Sequence, residues 1–184
     1  HCAAALLTDD RIAASRFEPM EKGQAERLMP LLEDLLAEAG LGWGDLTRIA
    51  VGTGPGNFTG VRISVAAARG LALGLGIPAL GITRLEALAY GQPRPVTVIE
   101  DARRGEVYVQ TFTADGPLPA TVGPAEDFAA DAEDFHPRAR HMDLDQAFAP
   151  QVAQLPVNQA AQATANHRQI NAVLFAQGLG AVDK

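Results

Sequence analysis

The sequence predicts an α/β fold. Short apolar runs of strand length fall at residues 2–7, 48–52, 78–82, 96–99 and 106–113. Apolar residues at helical spacing fill 28–39 and 61–75. The two kinds of segment alternate, and a glycine-rich turn joins strand to helix at 52–60, as in layered α/β domains.

The chain has 184 residues, room for one domain or two small ones at roughly 150 residues per domain. Gly91-Gln92-Pro93-Arg94-Pro95 clusters two prolines and a glycine and marks a boundary. The expected division is an N-terminal lobe over 1–94 and a C-terminal lobe over 95–184. Hydrophobic residues make up 47%, too many for a disordered chain. With 15 Lys+Arg against 22 Asp+Glu the net charge is −7. Lysine occurs only at Lys22 and Lys184, so the clustered cations that phosphate neutralisation needs are missing. This argues against nucleic-acid binding by the chain alone. No run of about 18 uncharged apolar residues appears, so no membrane span is expected. The longest apolar stretch, 61–80, is broken by Arg62, Arg69 and glycines. The single Cys2 fits a reducing compartment. No signal peptide is expected. The first residue is not Met, so an incomplete N-terminus is.

Residues 2–7 and 11–17 read as a hairpin turning at Asp9-Asp10. Leu28, Leu31, Leu32, Leu35, Leu36 and Ala39 form one helical face opposite Glu33, Asp34 and Glu38, and the helix ends at Gly40. Pro30 either starts its regular part or kinks it. Thr83 and Glu86 form a capping box for a helix reaching Tyr90. Strands at 96–99 and 106–113 are joined through Asp101-Ala102-Arg103-Arg104-Gly105. Further on, a short helix is expected at 124–130, a strand at 138–144, and helical segments at 146–154 and 157–177.

A glycine-rich loop before a helix presents backbone N–H groups and positive partial charge, and can hold an anion. The loop Gly52-Thr53-Gly54-Pro55-Gly56-Asn57-Phe58-Thr59-Gly60 lacks the Lys of a phosphate-binding loop and the spacing of a dinucleotide fingerprint. A tight turn with Thr59 as helix cap is the simpler reading. In the following helix Arg62 and Arg69 share a face, with Ser64 well away from them. Nearly every other position is apolar or small, an arc far wider than the stripe of about 100° on an ordinary surface helix. The helix therefore buries two faces. The second lies either in the chain's own core or against another protein.

Catalytic signals are sparse. His1, His136, His141 and His167 offer no pair at metal-binding helical spacing. Ser15 and Ser64, the only serines, lie in no nucleophile elbow. Cys2 reads as a small core residue. Glu100, Asp101 and Glu106 read most simply as a strand-end turn paired with Arg103 and Arg104.

The segment Val51 through Ile63 resembles the signature Gly-x-Gly-Pro-Gly-Ser-Phe-Thr-Gly-x-Arg of the TsaB (YeaZ) family. Gly70-Leu71-Ala72, Ile77-Pro78, Leu85-Glu86-Ala87-Leu88-Ala89 and Asp101-Ala102-Arg103-Arg104-Gly105-Glu106-Val107-Tyr108 are similar to that family in the same order. There are departures. Asn57 replaces the motif's Ser, Gln24 stands at a usual His, and the family's opening Asp-Thr-Ser strand and closing aromatic-x-Arg strand are not seen. The resemblance implies an actin-like ATPase (ribonuclease H-like) fold of two small lobes with mixed sheets and flanking helices. It also implies a non-catalytic scaffold role in bacterial synthesis of N6-threonylcarbamoyladenosine at tRNA position 37, in the cytoplasm. The glycine-loop motif is then Gly52, Gly54, Pro55, Gly56, Asn57, Phe58, Thr59, Gly60 and Arg62. The implied partner face is Leu28, Leu32, Leu36, Val61, Val65, Ala67, Ala68, Gly70 and Leu71. The implied partners are the catalytic subunit TsaD and the ATPase TsaE, with a homodimer when the partner is absent and tRNA reached only through the complex. ATP and metal belong to that complex, and the isolated chain needs no cofactor. The alternative is a nucleotide-dependent phosphotransferase or hydrolase of the same superfamily.

Overall fold

The structure is a computed structural model and describes residues 1–8, 11–132 and 170–176. Strands β1 (Cys2–Thr8) and β2 (Arg11–Glu18) form the expected antiparallel hairpin, from Cys2 opposite Glu18 to Thr8 opposite Arg11. Its expected turn at Asp9-Asp10 lies outside the described residues. Six consecutive apolar residues leave β1 without a polar face, and it is buried on both sides, as a central strand must be. Cys2, Ala4 and Leu6 pack into one core, and Ala3, Ala5 and Leu7 into another.

Helix α1 (Gln24–Glu38) starts before the leucine stripe and carries Pro30 on its exposed side. Leu28, Leu31, Leu32, Leu35 and Leu36 are all buried against β1. Gly40 adopts φ 69°, and the Leu41 N–H donates to Leu36 O at 2.9 Å. The Gly40 N–H donates to Ala37 O, completing the glycine stop that the sequence signals.

Strand β3 (Arg48–Gly52) leads through the glycine loop to helix α2 (Phe58–Leu75) and then to β4 (Ala79–Ile82), parallel to β3. Helix α3 (Arg84–Ala89) begins with the predicted capping box between Thr83 and Glu86. A second sheet contains β5 (Val96–Arg103), β6 (Glu106–Thr113), the short β7 (Gly116–Pro117) and β8 (Thr121–Pro124), with β6 pairing all three others. Leu85 and Ala89 of α3 pack on its Val98 and Phe112. The short helix expected at 124–130 is a 3-10 helix at Ala125–Ala132.

The last strand, β9 (Ile170–Ala176), corrects two expectations. Its residues were expected to be helical, and to belong with the C-terminal half. Instead it lies in the first sheet, antiparallel to β1 and parallel to β3, giving the order β2-β1-β9-β3-β4. The run Ala172-Val173-Leu174-Phe175-Ala176 has no polar position, and a short unbroken apolar run does not distinguish strand from buried helix by period. The expected elements at 138–144, 146–154 and 157–169 lie outside the described residues.

On the rim of the first core, the Arg27 guanidinium grips Glu18 at 2.7 Å through two nitrogens and reaches Asp34 at 2.9 Å. Arg16 pairs with Glu38.

Leu35→Ala should lower unfolding free energy by about 2–5 kcal/mol, whereas Leu73→Ala, at a position 87% exposed, should change it by no more than about 0.5 kcal/mol. Chemical denaturation of the two variants checks this. Arg27 holds the Glu18 carboxyl below the usual carboxylate range, chiefly by hydrogen bonding. The pair therefore adds stability above the unfolded value of about 4.3 and loses it as pH falls through the lowered folded value. Glu18→Gln should flatten that part of the stability–pH curve below about pH 4.3, a small effect because the pair is solvent-screened.

Candidate functional site

The glycine loop is a corner between β3 and α2, pinned at three points. The Thr53 N–H donates to Ile82 O at 2.9 Å, and the Arg84 N–H donates to Gly54 O at 2.7 Å. A Cβ at Gly81 would meet the Thr53 methyl carbon at 2.7 Å, so β4 requires glycine where the loop passes. Gly54 adopts φ 96°, which also favours glycine, and its peptide to Pro55 is cis.

Asn57, not Thr59, caps α2. Its Oδ1 accepts the Gly60 N–H at 3.0 Å, and its backbone is extended as a cap requires. Both residue types make good caps, and only the geometry decides between them. Thr59 is exposed in the first turn. Phe58 is 72% exposed, with the Arg62 guanidinium 5.1 Å from its ring centre.

Helix α2 seats on the first sheet through Gly60, Ser64 and Ala68, four residues apart. The buried Ser64 hydroxyl is satisfied within the helix, by Gly60 O at 3.2 Å and Val61 O at 3.0 Å. Val61, Ile63, Val65, Ala67 and Leu71 are half-buried on the flanks. Phe58, Arg62, Ala66, Arg69, Gly70 and Leu73 form the exposed face. Among the described residues α2 is the one helix whose length and hydropathy would suffice to cross a membrane, and only 17% of it is buried here. Arg62 and Arg69 lie on its exposed side.

The expected partner face divides. Leu28, Leu32, Leu36 and Ala68 are 1–4% exposed or fully covered by the chain's own core, so they are not on an available surface. The α1 leucines are the main cover for one side of β1, a role that a sequence stripe does not separate from docking. Val65, Ala67 and Leu71 pack on that core too but stay half-exposed, and Val61 and Gly70 remain at or beside the open face. Ala66 and Leu73, which the sequence reading did not single out, are exposed on that same side. Their signal was helical register with Arg62 and Arg69, which mark the outward side.

The remaining candidates do not converge. Glu100 pairs with Arg84 at 2.7 Å rather than with Arg103 or Arg104. The Asp101 carboxylate instead accepts the Arg103 N–H at 2.7 Å. Cys2 is buried, and desolvation pushes its thiol up, away from the reactive thiolate. The amino terminus at His1 donates to Met20 O at 2.9 Å. Among the described residues no three His, Cys, Asp or Glu side chains group as metal ligands. His136, His141 and His167 lie outside the described residues.

Asn57→Ala should lower stability by about 1 kcal/mol while Thr59→Ala changes it by no more than about 0.5 kcal/mol, read as shifts in the urea midpoint.

Comparison with known proteins gives one picture. Residues 18–179 match the family model TsaD, tRNA N6-adenosine threonylcarbamoyltransferase. The chain is 38% identical over 119 residues to the tRNA threonylcarbamoyladenosine biosynthesis protein TsaB of Escherichia coli (strain K12), a match covering 62% of this chain and 51% of that protein. It is likewise 38% identical over 111 residues to the TsaB of Bacillus subtilis (strain 168), covering 59% and 48%. The solved YeaZ of Pseudomonas aeruginosa superposes with a TM-score of 0.56 at 35% identity, over 67% of this chain and 62% of that one. The chain thus spans about half the length of the curated relatives it matches. The fold is the mixed α/β arrangement of the YeaZ structures, and the family model implies an actin-like architecture. With a family model matched over most of its length and relatives named TsaB or YeaZ, the chain belongs to the TsaB/YeaZ family.

Proposed function

We propose that the chain is a non-catalytic accessory subunit in tRNA threonylcarbamoyladenosine biosynthesis, and that it docks through α2 onto a TsaD catalytic subunit. The observation that carries this reading is the open face of α2. Phe58 and Leu73 stand 72% and 87% exposed on the side of the helix away from Gly60, Ser64 and Ala68, its fully buried residues. Ala66 and Gly70 leave room for a second helix to approach closely, and a Cβ at Gly70 meets nothing within 4 Å. In the absence of TsaD the same face closes a homodimer. TsaE, ATP, metal and tRNA enter through the assembled complex, in the cytoplasm. In this reading the first sheet, with β9, is one lobe of the actin-like architecture, and the second sheet is the other.

The alternative, a nucleotide-dependent phosphotransferase or hydrolase, draws on the glycine loop. Asn57 already takes one of the N–H groups an anion would need. Titrating the isolated chain with ATP and Mg²⁺ separates the readings. Tight binding with turnover would favour the enzyme, and the absence of both would favour the accessory role.

Gly70→Glu is the direct test. The new side chain enters open space within the single chain, so the variant should stay folded, as a monomer rather than a homodimer. Association with TsaD, read by calorimetry, should weaken by at least about 30-fold, or roughly 2 kcal/mol, because a carboxylate is buried unpaired. Unchanged association in a folded variant would remove α2 from the interface.

A further inference from the structure

We infer that Arg84 is a positioning residue that ties the glycine loop, and with it the start of α2, to the second sheet. The loop leaves the first sheet at β3, and its contacts run to the neighbouring strand β4 and on to the β4–α3 corner: Thr53 to Ile82, the Thr53 methyl against the bare Cα of Gly81, and Gly54 to Arg84. That corner is fastened to the second sheet. Leu85 and Ala89 pack with Val98 and Phe112, and the Arg84 guanidinium meets the Glu100 carboxylate of β5 at 2.7 Å. The ion pair is sheltered, with side chains 17% and 20% exposed, so it is screened less than the pairs around Arg16 and Arg27.

Arg84 thus works at both ends. Its N–H holds the loop carbonyl while its side chain holds β5. The capping box stiffens the link, since Thr83 Oγ1 accepts the Glu86 N–H at 3.0 Å and the Glu86 carboxylate accepts the Thr83 N–H at 2.8 Å. Arg84 Nη2 meets Glu100 Oε1, and Arg84 Nε is buried with no hydrogen-bond partner. A lysine at 84 can keep a positive charge beside Glu100 without the stranded Nε donor.

Amide hydrogen exchange of the isolated chain tests this without any partner protein, so its outcome is separate from the docking reading. Arg84→Met and Glu100→Gln should each raise exchange at Thr53–Val61 by about tenfold, as expected when a sheltered ion pair is lost. The β1–β2 hairpin should stay unchanged. The double variant should match the singles, because both remove one interaction. Arg84→Lys should restore loop protection. Exchange in the loop unchanged in both single variants, a uniform rise across the chain, or failure of lysine to restore protection would each overturn the assignment.

Discussion

The narrow seat of α2 is the constraint on which the rest depends. Only Gly60, Ser64 and Ala68 are fully buried, and Ile63, Val65, Ala67, Leu71, Ala72 and Leu75 pack on the same core from the flanks while staying half-exposed. The helix carries a mean hydropathy of 1.3, and Phe58, Ala66, Gly70 and Leu73 on its outer side are left exposed. Apolar surface is worth about 25 cal/mol per Å² when removed from water, so an uncovered helix of this kind favours association. The glycine loop and its Asn57 cap set where the helix starts, and so which residues face outward.

The first sheet supports that arrangement. Each face of β1 is apolar, and α1 covers one of them with its leucine stripe. The other packs with Ala50, Ile82 and Ala87, close to where β4 turns into α3. Strand β9 fills the middle of the sheet, hydrogen-bonded to β1 on one side and β3 on the other. The position of α2 therefore rests on contacts drawn from distant parts of the sequence.

What was legible in the sequence was local. The β1–β2 hairpin, the α1 stripe with its Gly40 stop and the Thr83–Glu86 box each draw their signal from a few adjacent residues. What failed was set by tertiary context. Asn57 and Thr59 are both natural caps, and the path of the chain chose Asn57. The leucines of α1 look alike whether they face a core or a partner, and they face the core. Glu100 has two arginines close by in sequence, yet its partner is Arg84 on another element. The apolar run of β9 carries no period, so pairing alone defines it as a strand. At the site, the width of the apolar arc on α2 was readable. Which part of that arc stays open was not, because it depends on which residues the sheet covers.

The most direct measurement is hydroxyl-radical footprinting of the chain, diluted until it is monomeric, alone and mixed with TsaD. The account requires that Phe58 and Leu73 lose reactivity in the mixture, while Leu118 and Val122, exposed on the second sheet, keep theirs. Protection of the second sheet with Phe58 and Leu73 still reactive would contradict it.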